Sequence, residues 1–101
     1  MDNNVKVLEN LLYDDKSGFE IVLRMGQGID TKKFIEICDI LAVLKDKWSE
    51  SDYVPKEFMQ IFLEFRESCE NSLTIYDEDE QIQILQYVDK ILDLVNEIIC
   101  N

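Results

Sequence analysis

From residue 78 to residue 99 the chain contains no proline or glycine, and Leu85, Val88, Ile91, Leu92, Val95 and Ile99 recur at spacings of three and four. That period gathers side chains on one side of a helix, whereas a half-buried strand needs strict alternation. The same period returns along the rest of the chain. Val5, Leu8, Leu11 and Leu12 make an apolar stripe that ends at Asp14-Asp15. Ser17 with Glu20 three residues on has the spacing of a capping box for a second helix, and Gly26 and Gly28 suit its end. Asp30 or Thr31 can cap a third helix, whose Phe34, Ile37, Cys38, Leu41, Leu44 and Trp48 share a face. Its Ile35, Ile40 and Val43 lie off that face, a breadth expected of a central helix.

Residues 49–54 read as a loop, and Pro55 suits the first turn of a fourth helix, where a missing N–H is no loss. Phe58, Ile61, Phe62, Phe65 and Cys69 form that helix's buried stripe, with Glu57, Gln60, Glu64, Glu67 and Asn71 opposite. Leu73 to Tyr76 reads as an extended connector. The run Asp77-Glu78-Asp79-Glu80 stands at the amino end of the last helix, where each negative charge gains about 0.3–1 kcal/mol. The expected fold is all-α, a compact bundle of four to five helices forming a single domain over residues 1–101.

Apolar residues make up 47% of the chain, too many for a disordered segment, so the chain is expected to fold without a partner. Charge narrows the choice of ligand. The formal net charge is −12, which opposes nucleic acid and anionic membrane and favours a basic protein partner. Residues 1–50 hold ten acids and seven bases, and residues 51–101 hold twelve acids and three bases, so most of the excess falls in the second half. Cys38, Cys69 and Cys100 are odd in number and have no histidine near them, so they read as thiols rather than a disulfide or zinc framework. The amino terminus lacks a basic, apolar leader and no run of eighteen apolar residues occurs, so a cytoplasmic location is expected.

Catalytic and metal chemistry find little to work with. Histidine, the commonest general base, is absent, and the three glycines form no phosphate-binding loop. The acidic run at 77–80 lacks calcium-loop spacing. Glu64-x-x-Glu67-x-x-Glu70 and Glu36-x-x-Asp39 resemble the paired E-x-x-E and E-x-x-D elements with which all-α nucleotide pyrophosphatases hold magnesium. Their order is reversed relative to that family, and its lysines are missing nearby. The sequence therefore predicts a protein that is not an enzyme, with no cofactor and no metal.

The surface is more informative. Asp89, Asp93 and Glu97 repeat every four residues along one ridge of the last helix, a like-charge pattern that costs about 0.2–0.5 kcal/mol per pair and invites cations from outside. Together with Asp77, Glu78, Asp79 and Glu80 they form the expected partner-binding surface, with Tyr76 and Tyr87 as anchors; Tyr53 and Trp48 are further aromatics to weigh. In size, acidity and helical content the chain resembles colicin-type and contact-dependent-inhibition immunity proteins, without a shared motif. The resemblance implies an inhibitor that covers the substrate surface of a basic, nuclease-like toxin domain. Acidic inhibitors that mimic a nucleic-acid backbone are an alternative, as is a homodimer that buries the spare apolar faces of the third and last helices.

Overall fold

The computed structural model describes residues 3–100. Its helices are α1 (Asn3–Tyr13), α2 (Phe19–Arg24), α3 (Thr31–Lys47), α4 (Lys56–Phe62), α5 (Phe65–Ser72) and α6 (Glu78–Ile99), with a 3-10 turn at Leu73–Ile75 between α5 and α6. No strand occurs among the described residues, so the all-α bundle is as the periodicity requires.

The longest helices, α3 and α6, lie side by side and parallel. Phe34 near the start of α3 meets Tyr87 edge-on at 4.7 Å, and Lys45 near its end reaches Glu97. Residues 48–77 must therefore travel back along the bundle, and they do so as α4, α5 and the 3-10 turn. One core results, drawing Leu8 and Leu12 from α1, Phe19 and Leu23 from α2, Ile37, Leu41 and Leu44 from α3, and Phe58 and Phe65 from α4 and α5. Burying each of the three phenylalanines stabilises by about 1.5–3 kcal/mol.

Local chemistry explains most helix ends. The Asp30 carboxylate accepts from the Lys33 N–H at the head of α3. Asp77 and Glu80 form a reciprocal capping box at the head of α6, each side chain accepting from the other's backbone N–H. Gly26 and Gly28, at φ of +81° and +77°, turn the chain out of α2 in the left-handed region that glycine enters freely.

Four expectations change. Ser17 and Glu20 do not form a capping box: the Ser17 hydroxyl donates to Asp14, Gly18 takes the cap position, and Glu20 turns into the core. The expected fourth helix is two, broken at Leu63-Glu64, where Glu64 has ψ near 5°. No proline or glycine forces this break; it lets one aromatic stripe serve two partners, since α4 packs on α1 and α5 on α2. Phe62 and Phe65 close the joint edge-on at 5.7 Å. Leu73 to Ile75 coils rather than extends, and only Tyr76 is extended. On α6, Val88, Ile91 and Val95 are buried as expected, but Ile84 and Ile98 are the other deepest residues, with Leu85 and Leu92 half-buried and Ile99 exposed.

Candidate protein-binding surface

The α6 ridge exists, but the fold neutralises part of it. Arg66 on α5 holds Asp89 at 2.7 Å with one nitrogen and Glu70 at 2.7 Å with another, and these two carboxylates raise its pKa. Lys45 on α3 stands 3.8 Å from Glu97. Asp93, between them in sequence, is exposed and has no ion-pair partner among the described residues. The ridge was expected to invite cations from outside; Arg66 and Lys45 supply two of them from within the fold.

Of the acidic run, Asp77 and Glu80 are tied into the capping box, while Glu78 and Asp79 project from the first turn of α6. All four are exposed. The aromatic candidates separate sharply. Tyr76 is only 8% exposed; its hydroxyl donates to the Leu23 carbonyl at 2.6 Å and accepts from the Gly28 N–H at 2.9 Å. It is a strut that fastens the α2–α3 turn to the head of α6, and a surface anchor it cannot be without leaving the core. Tyr87 is half-buried against Phe34 and Trp48 half-buried against Phe58. Tyr53, by contrast, is 77% exposed in the 49–54 loop.

A polar feature that the sequence hid lies between α2 and α5. The Glu20 carboxylate is fully buried, yet both its oxygens accept from Arg24, at 2.7 and 2.9 Å, and the Ser68 hydroxyl donates to one of them. Arg24 is four residues on, so half of the arrangement was visible as a helical pair. Ser68, far along the chain, was not. Next to this pair the Tyr13 hydroxyl donates to the Ile61 carbonyl at 2.8 Å. Burial first, then the nearby Glu20, hold the Tyr13 phenol well above its ordinary pKa, and burial pushes the Cys69 thiol up to about 12. Every buried side-chain nitrogen and oxygen among the described residues has a partner.

Glu36 and Asp39 on α3, and Glu64 and Glu67 at the α4–α5 joint, are exposed, and no group of three potential ligands converges on a metal position among the described residues. No described helix is long and apolar enough to cross a membrane. Comparison with known protein families, characterised proteins and solved structures finds no match to this chain.

Proposed function

We propose that this protein is a protein-binding inhibitor of the immunity or antitoxin type, which neutralises a basic, nuclease-like toxin domain by covering its substrate surface. One observation carries the reading. The chain has 22 acidic against 10 basic residues, and after Arg24, Lys45 and Arg66 have been drawn into ion pairs, outward carboxylates such as Glu78, Asp79 and Asp93 stand without a cation of their own. A surface of this kind attracts a basic partner at long range and repels other acidic proteins. The site of action is the cytoplasm, where the free thiols Cys38, Cys69 and Cys100 stay reduced.

The experiment is a tagged capture from the native host at low and then high salt, followed by identification of the bound protein and of its activity when expressed alone. A single basic, toxic protein released by salt is the expected result. Capture of no basic protein would sink the proposal.

A further inference from the structure

The break at Leu63-Glu64 opens a groove of about 460 Å³ between α1, α2 and the α4–α5 joint. Its apolar strip is the half-buried Tyr13 and the 74% exposed Leu63, with Ile61 buried beneath them. Around the strip stand Glu9 from α1, Glu57 from α4 and Glu64 from the joint. None of these three has an ion-pair partner among the described residues, in contrast to Asp89 and Glu97 on the α6 ridge. Arg24 also lines the groove, but its guanidinium is neutralised from behind by the buried Glu20 carboxylate. The groove is therefore negative on balance, and Glu9 and Glu64 both act on the Tyr13 phenol at its floor in the sense of raising its pKa.

An apolar strip bounded by free carboxylates fits one kind of occupant: a segment whose leucine-like side chain packs on Leu63 and whose arginines or lysines reach the rim. Such a pairing of a desolvated apolar contact with a charged surround is the usual make-up of an interface anchor. We propose that this groove is where a basic partner inserts its principal anchor, an arginine-flanked apolar segment, while the α6 ridge contributes only long-range attraction. The proposal rests on the reading of the protein as a binder of a basic partner and assigns that binding to a definite place.

The test uses the whole chain, labelled with nitrogen-15, and a short capped peptide Arg-Leu-Leu-Arg as probe, with the isosteric citrulline peptide as its neutral twin. Expected are saturable amide shifts at Tyr13, Leu63 and Glu64 for the arginine peptide and weaker binding of the neutral one. Neutralising the rim in Glu57→Gln/Glu64→Gln should weaken the arginine peptide about tenfold, as loss of two good ion pairs implies. The ridge variant Asp89→Asn/Asp93→Asn/Glu97→Gln should bind it within about twofold, since none of the three lines the groove and exposed charges off the contact are screened by salt. Circular dichroism melts check that both variants are folded, the altered side chains being exposed except for the half-buried Asp89. Equal binding of the two peptides, shifts centred on α6, or no shift at millimolar peptide would overturn the proposal, as would sedimentation showing that a second copy of the chain occupies the groove. Should a captured basic partner associate unchanged with the rim variant, the groove fails while the basic-partner reading stands. Groove binding of the peptide with no basic partner captured sinks only that reading.

Discussion

The α2–α5 seam and the α3–α6 seam use charge in opposite ways. Between α2 and α5 a carboxylate is sealed in the core, with Arg24 and Ser68 occupying its oxygens. Between α3 and α6 the interior is apolar, and the Lys45–Glu97 pair stays outside it, as does Arg66–Asp89 from α5 to the same α6, at side chains about half exposed. A charge that is buried must be matched completely, since water cannot repair a missing partner, whereas an exposed pair has water as a near-equal substitute. The first seam is thus the more brittle under polar substitution and the second under apolar truncation.

The largest effect expected is at the second seam's core. Ile91→Ala on α6, where Ile91 is fully buried, should cost about 3–4 kcal/mol in chemical denaturation. Arg24→Ala should follow, at about 3 kcal/mol, because it leaves the Glu20 carboxylate buried without its cation. A loss below that of an exposed pair would show that water reaches Glu20 and that the two seams differ less than their geometry implies. Tyr76→Phe removes the hydroxyl that joins Leu23 to Gly28 and should cost about 1–2 kcal/mol, read from the urea midpoint.

Alkali should also single out the first seam. The folded chain keeps the Cys69 proton up to about 12, while the unfolded chain releases it near the ordinary 9.0, so stability is intact below 9 and falls as pH rises above it. Cys69→Ala should lessen the decline in a series of denaturation curves from pH 8 to 10.5. Smallest of all is Asp89→Asn, expected to change the melting free energy by no more than about 0.5 kcal/mol, since the Arg66–Asp89 pair is exposed and Arg66 keeps Glu70.

What the sequence made legible was local. Asp30, the glycines at 26 and 28 and the acidic run at the head of α6 act on backbone within a few residues, and each stands at the helix end where it was expected, whereas the capping box read at Ser17 and Glu20 is found instead at Asp77 and Glu80. The phase of α6 was legible only to within one residue, because its apolar arc is broad enough for Leu85 or Ile84, and Ile99 or Ile98, to face the core. The joint at Leu63-Glu64 carried no breaker residue; it follows from two packing partners that lie elsewhere in the chain. The same holds for the candidate surface. That the second half was acidic could be read directly, but that Arg66 would cover Asp89, and that Tyr76 would be consumed inside, depended on neighbours 23 and 53 residues away.

The hydrogen bonds from Tyr13 to Ile61, from Ser68 to Glu20 and between Tyr76 and both Leu23 and Gly28 all join the first 28 residues to residues 61–76, across sequence separations of 48 to 53. During synthesis α1 and α2 emerge first, yet they find these partners only when the segment from α4 to the 3-10 turn has followed. Closing such long loops is slow compared with forming single helices. An amino-terminal fragment that stops at the end of α3 would leave the Glu20–Arg24 pair without its Ser68 donor and without α5 over it, so the order in which the chain is made runs ahead of the order in which it can become native.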